Sequence, residues 1–310
     1  MKRPATLCLL LLAVALLAGC SAGLRVGYNQ AELLTNWMVS DYVDFDAQQR
    51  DLFSQKFRAL HAWHRREQLP EYSRLLRETR TRAEDGLSRD DAVWVMERSR
   101  SQVDTLIRQG ATDAADVLMT LTPQQVAALE QSFVRANRKV MRDWGVGRPA
   151  EEQKRSRAER QIAQIERLTG RLSREQAERV IAMSDALPLT TDQRFADRQR
   201  RQRELIKTLQ AGRSRSELAA WLREWGPNWE RGRDDAYARA ARAATEQRAQ
   251  MFADIDRTLT PAQRSTALGR LQGYIDDVVA LSGAPASVSE VRPDRWPEPQ
   301  PAPRSHRASN

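Results

Sequence analysis

One short pattern recurs along the chain and constrains its fold more than any other. It is an apolar residue, then Thr, Ser or Asp, two variable positions, and a glutamine. It reads Leu121-Thr122-Pro123-Gln124-Gln125, Leu189-Thr190-Thr191-Asp192-Gln193 and Leu259-Thr260-Pro261-Ala262-Gln263. Looser copies stand at Leu172-Ser173-Arg174-Glu175-Gln176 and Phe45-Asp46-Ala47-Gln48-Gln49. The hydroxyl or carboxylate at the N-cap accepts a bond from an orphan backbone N–H, and the glutamine three residues on reaches back to the N-cap N–H. Proline at the first helical position loses nothing, because its missing N–H had no intrahelical partner. Each copy therefore predicts a helix start, and local capping accounts for the whole pattern. A staple from the preceding Leu fits Leu121 with Val126 but not Leu259, which faces Arg264. The unequal spacing argues against a solenoid of fixed period.

Between these starts the apolar residues fall at helical spacing. Val126, Leu129, Phe133, Val140 and Trp144 show it, as do Leu268, Leu271, Ile275 and Val278. Leu33, Leu34, Trp37, Met38 and Tyr42 predict a first helix lying near a membrane or capping the core. A second starts near Asp46 with Phe53, Phe57, Leu60 and His64 on one face, and Pro70 either kinks it or opens a new helix. Further helices are predicted over 89–108, 123–144, 150–170, 174–187, 191–210, 215–225, 228–257 and 261–281. No alternating β-branched run is bounded by hairpin turns. The expected fold is all-α, a multi-helix bundle of antiparallel helices.

The first twenty residues say where such a bundle would reside. Met1-Lys2-Arg3 is basic, Leu7 to Leu17 is apolar, and Leu17-Ala18-Gly19-Cys20 follows. The apolar run of 11 residues is shorter than the roughly 20 that cross a bilayer as a helix. The three-part pattern is that of a secretory signal, and its end resembles the bacterial lipobox, whose cysteine is diacylated and becomes the mature N-terminus. Ser21 rather than Asp after Cys20 implies, by the same resemblance, transfer to the outer membrane. The expected organisation is a lipoprotein signal peptide over 1–19, a lipidated tether over 20–27, an all-helical periplasmic domain over 28–282, and a tail over 283–310. That tail holds six of the thirteen prolines and is expected to be disordered.

Compartment decides how the charge is read. The formal charge is +9, and losing Lys2 and Arg3 with the signal leaves +7, nearly all of it from arginine. Export makes nucleic acid an unsuitable partner; an envelope protein or anionic lipid fits better, and solvated helix faces account for much of the charge. Cys8 departs with the signal, so apart from Cys20 the mature chain has no thiol.

The most distinctive internal segment is His61-Ala62-Trp63-His64-Arg65-Arg66-Glu67-Gln68-Leu69-Pro70-Glu71-Tyr72. Trp63, His64, Arg65, Arg66, Glu67 and Tyr72 form its candidate functional surface. At about 100° per residue His61, His64 and Glu67 share a helix face, which makes them weak metal candidates. The ordinary reading is stronger: His64 continues the apolar face with a carboxylate partner, and neither metal nor cofactor is expected. No Gly-x-Ser-x-Gly elbow, phosphate loop or dinucleotide fingerprint occurs, and His306 falls in the tail. Acidic pairs such as Glu84-Asp85, Asp90-Asp91 and Asp276-Asp277 are expected at helix ends or on solvated faces. Trp221, Trp225 and Trp229 are expected to pack helices around Gly226-Pro227, with arginines stacked on the rings.

Two resemblances add to this. The Leu-Thr-x-x-Gln pattern is similar to the repeats of Spy-like periplasmic chaperones, all-helical cradles for unfolded envelope proteins. The lipobox, Tyr28-Asn29, Leu33-Leu34-x-x-Trp37, Asp41-Tyr42-Val43-Asp44, Gln49 and Trp63-His64-Arg65-Arg66-Glu67-x-Leu69-Pro70-x-Tyr72 together resemble bacterial lipoproteins known only as a domain of unknown function. That resemblance implies a helical envelope lipoprotein and supplies no catalytic residue. The expected function is non-catalytic: binding, scaffolding or chaperone-like work in the cell envelope. The competing expectation is a hydrolase of peptidoglycan or lipid, whose paired acids can lie far apart in sequence.

Overall fold

The computed structural model describes residues 21–283. Residues 1–20, where the signal peptide and Cys20 are expected, and residues from 284 on, with Trp296 and His306, lie outside the described residues. Among the described residues the chain is all-α, a bundle of helices with no strand. In order they are α1 (Ser21–Asn29), α2 (Ala31–Ser40), α3 (Ala47–Trp63), a π-turn (His64–Gln68), α4 (Leu69–Glu84) and α5 (Arg89–Leu118). There follow α6 (Pro123–Trp144), α7 (Ala150–Thr169), α8 (Arg174–Asp185), α9 (Thr191–Gln210), α10 (Arg215–Trp225), α11 (Asp235–Asp256) and α12 (Pro261–Gly283). No helix among them is long and apolar enough to cross a membrane.

Capping chemistry sets most of the starts. Complete capping boxes open α3 at Asp46 and Gln49, α6 at Thr122 and Gln125, and α8 at Ser173 and Gln176. At α12 Thr260 and Gln263 exchange the same two bonds. Thr190 departs from expectation: its backbone stands at φ −126° and ψ 15°, and its side chain caps nothing. Ser88 with Asp91 and Ser214 with Glu217 form boxes in which a carboxylate replaces the glutamine.

Capping alone does not explain the glutamines. The Gln49 amide donates to the Gln125 Oε1 at 2.9 Å and to the Thr120 carbonyl at 2.7 Å. Gln125 returns both, to the Gln49 Oε1 at 2.7 Å and the Asp44 carbonyl at 2.8 Å. Gln176 and Gln263 repeat this wiring, joined to each other at 2.9 Å both ways and to the carbonyls of Thr258 and Arg171 at 2.7 and 2.9 Å. In every case the carbonyl belongs to the residue five places before the partner glutamine. Two distant helix starts are thereby clasped back to back, twice in one chain.

Each clasp sits over its own apolar cluster. Phe45 and Leu121, the residues before the first pair of caps, pack against Val43, Val126, Leu129 and Ile206. Leu172 and Leu259 do the same beside Ile165, Val180, Met251 and Ile255. Leu259 therefore packs into the core, while Arg264 turns to Asp256 at 2.9 Å. A third cluster joins α5 to α10 through Ala111, Ala115, Leu218, Ala219 and Leu222. The fourth gathers Tyr28, Leu69, Val278 and Leu281 from α1, α4 and α12.

Three boundaries differ from those read in the sequence. Residues 21–27, expected to be a loose tether, are helical, and Arg25 bonds Asp277 of α12 at 2.8 Å. Asp277 is therefore buried and paired instead of lying on a solvated face. Helix α5 runs past residue 108 to Leu118 because Gly110 accommodates the Leu60 side chain and Ala111 and Ala115 pack on α10. Helix α11 starts at Asp235, capped by Asp234, because residues 228–233 form a turn that lays Trp229 under the Arg100 guanidinium at 4.2 Å. The neighbouring aromatic pair is as expected: Trp221 and Trp225 stack at 4.7 Å, with Arg201 4.2 Å from the Trp225 ring centroid.

Candidate functional site

Pro70 shapes the distinctive segment. It has no N–H to offer the carbonyl four residues back, and the helix widens there: the Leu69 N–H reaches the His64 carbonyl, five residues away. The π-turn over His64–Gln68 results, and α4 then begins with Pro70 in its first turn. Widening lets the consecutive residues His64 and Arg65 both face inward, and both are buried. Arg66 and Glu67 are exposed and pair with each other at 2.8 Å, while Trp63 and Tyr72 are half-buried. Of the six candidate surface residues, two therefore lie in the interior.

His64 is held by two tyrosines, where the sequence suggested a carboxylate. Its Nδ1 lies 2.9 Å from the Tyr28 hydroxyl and its Nε2 lies 3.3 Å from the Tyr72 hydroxyl. A neutral imidazole donates through one nitrogen and accepts through the other, so one tyrosine accepts and the other donates. Burial, with His61 and Arg65 nearby, lowers the His64 pKa to about 4, and burial raises that of Tyr72 to about 12. Tyr28 is raised by burial as well. Arg65 completes the knot: it donates to the Asn29 side chain at 2.8 Å and the Leu281 carbonyl at 3.2 Å, and lies 5.1 Å from the Tyr28 ring centroid. Phe53, Phe57 and His61 stack in a ladder along α3 that ends on the Tyr28 ring, 4.5 Å from that of His61. Glu67 faces solvent with Arg66, away from His61 and His64, and no group of three potential metal ligands forms among the described residues. The chemistry of this knot is docking: it fastens α1 to α4 and α12.

A second feature escaped the sequence. Arg157 and Arg160 of α7, Arg194 of α9 and Arg248 of α11 act electrostatically on one another. Burial is the main cause that lowers the pKa of each guanidinium, and for Arg194 the charges of Arg248, Arg160 and Arg198 push the same way against Tyr237. Arg160 and Arg194 are exposed and Arg248 is half-buried, so the cluster faces solvent. Arg157 is occupied, donating to the carbonyls of Ser184, Leu187 and Pro188 at the end of α8. Arg194 lies 4.4 Å from the Trp144 ring centroid. Among the described residues no carboxylate lies within ion-pairing distance of Arg160, Arg194 or Arg248. Arginine remains charged at neutral pH even when its pKa falls, so the cluster presents positive charge beside the aromatic face of Trp144. No signal in the sequence marks it, because its members come from three separate helices within an arginine-rich chain.

Residues 41–230 match a family of unknown function, DUF6279. The chain belongs to that family. No curated protein and no solved structure matches it. The DUF6279 match takes in the π-turn, the first glutamine clasp and Arg157, Arg160 and Arg194, and leaves Tyr28, Arg248 and Gln263 outside.

Proposed function

We propose that this is a lipoprotein of the cell envelope, held in the outer membrane by acyl chains on Cys20, facing the periplasm and working by binding rather than by catalysis. Its role is chaperone-like or scaffolding, toward envelope proteins with acidic, partly unfolded segments. The arginine cluster carries the reading. Three guanidinium groups without carboxylate partners, one of them set against an aromatic ring, suit an acidic chain whose side chains are accessible. The Leu-Thr-x-x-Gln helix starts at Leu121 and Leu259, each clasped to a looser copy, add support through their likeness to periplasmic chaperone repeats.

Two measurements test the two halves of the proposal. Cys20→Ala should abolish incorporation of labelled palmitate; undiminished labelling would refute the anchor. A soluble form beginning at Ser21 should suppress light scattering by reduced α-lactalbumin, an acidic client, near equimolar ratio. Arg160→Gln/Arg194→Gln/Arg248→Gln should lose most of that effect, and salt should weaken it. Scattering that is the same with and without the protein would refute the binding reading.

A further inference from the structure

Helices α1 and α2 carry an apolar face that nothing in the described structure covers. Val26 is 63% exposed, Leu33 59%, Leu34 45% and Trp37 42%. The remaining exposed large apolar residues, such as Met119, Val134, Ile181 and Phe252, are scattered over other helices. Gln30 separates the two helices at φ −95° and ψ 14°; its N–H bonds the Val26 carbonyl at 3.0 Å, and its carbonyl accepts from Leu34 at 3.1 Å. On α2, at about 100° per residue, Leu33 and Trp37 fall within about 40° of each other with Leu34 at the edge of that stripe, and Val26 is the exposed large apolar residue of α1. The other exposed residues over 23–40 are Gly23, Arg25, Asn29, Gln30 and Ser40.

Charge is sparse on these two helices. Residues 21–40 contain two ionisable side chains, Arg25 and Glu32. Each is ion-paired at 2.8 Å, Arg25 with Asp277 of α12 and Glu32 with Arg58 of α3, while Arg25 keeps 44% of its side chain exposed. In a chain that is 29% charged, these two helices offer solvent an apolar face with one exposed, paired cation beside it. Helix α1 begins at Ser21, next to Cys20, and Tyr28, Asn29 and Arg25 fasten it to the body.

We propose that α1 and α2 lie in the plane of the bilayer, with Val26, Leu33, Leu34 and Trp37 sunk into the headgroup–acyl boundary. The inference rests on acylation of Cys20, which puts the start of α1 at the lipid surface. Acyl chains there leave no slack before Ser21, so the apolar face meets the membrane first, with its tryptophan at the depth where such rings settle. The body is thereby held at a fixed attitude on the membrane.

The mature chain has no cysteine besides the acylated one, so Leu33→Cys gives a single site for a polarity-sensitive nitrobenzoxadiazole label. Val134→Cys on α6, 51% exposed, serves as the reference. The full acylated protein is reconstituted into vesicles of three parts phosphatidylethanolamine to one part phosphatidylglycerol, with or without brominated acyl chains. At position 33 the emission should shift to the blue and be quenched several-fold more strongly by bromine than at 134. Water-like emission at both sites, in protein that floats with the vesicles, overturns the inference and leaves the anchor standing. Protein that fails to float overturns the anchor and the inference with it. A blue shift that grows with protein concentration and ignores bromine assigns the stripe to a second copy, and also overturns the inference.

Discussion

Gln176→Ala removes the centre of one clasp, and the structure gives the size of the effect. The side chain accepts from the Ser173 N–H at 2.8 Å, donates to the Thr258 carbonyl at 2.7 Å, and exchanges two bonds with Gln263. Gln176 is buried, so truncation strands three groups: a helix N-cap N–H, a carbonyl and half of a facing amide. Each interrupted bond costs about 0.5–1.5 kcal/mol net, which puts the loss near 3 kcal/mol. Gln263 is half-exposed and water can replace its partners, so Gln263→Ala should cost about half as much. The double variant should fall short of additivity by about 1–2 kcal/mol, because the two shared bonds are counted in both single changes. Urea unfolding of the non-acylated chain, followed by circular dichroism and by tryptophan fluorescence, measures all three. A loss under about 0.5 kcal/mol for Gln176→Ala, or strict additivity, would refute the clasp and return the glutamine to a purely local cap.

Three further outcomes are expected. His64 titrates near 4 in the folded protein against 6.5 in an unfolded chain, so the unfolded state binds the proton first. The associated stability, about 3 kcal/mol for that shift, is complete above pH 6.5 and lost as pH falls toward 4; the drop in urea midpoint between pH 7 and pH 4.5 should shrink in His64→Gln, and an unchanged drop would refute the assignment. Arg25→Ala leaves the buried Asp277 carboxylate without its cation and should cost about 2 kcal/mol, less than a fully buried pair because Arg25 is itself half-exposed; faster amide exchange confined to residues 21–29 would show that α1 has been released, and unaltered exchange would count against its docking. Gly226→Ala would drive a methyl group into the Ile107 Cγ2 and within 3.0 Å of the Leu222 carbonyl, costing about 2 kcal/mol, and the combined loss with Ile107→Ala, which removes that Cγ2, should be less than additive.

What the sequence revealed and what it hid divide along the range of the interactions. Helix starts at Asp46, Thr122, Ser173 and Thr260 were legible because a capping box lies within four residues. The end of α5 was not, because Gly110 reads as a breaker until Leu60 is seen packed against it. His64 was rightly seen to turn inward, but its partners stand 36 and 8 residues away, and the π-turn that admits Arg65 beside it breaks the 3.6-residue rule by which faces are read. The arginine cluster depends on the mutual placement of α7, α9 and α11, which no local pattern encodes. The capping bonds of the glutamines are local and legible, whereas their bonds to one another span 76 and 87 residues and are not.

That reciprocity has an evolutionary consequence. Neither glutamine of a clasp can change alone without leaving its partner an unmatched donor and acceptor, so Gln49 and Gln125 are heritable as a pair, and so are Gln176 and Gln263. Sequences descended from a common ancestor should keep both members or replace both together, by two apolar residues or by a matched polar couple. The two pairs, having no bond between them, are free to drift independently.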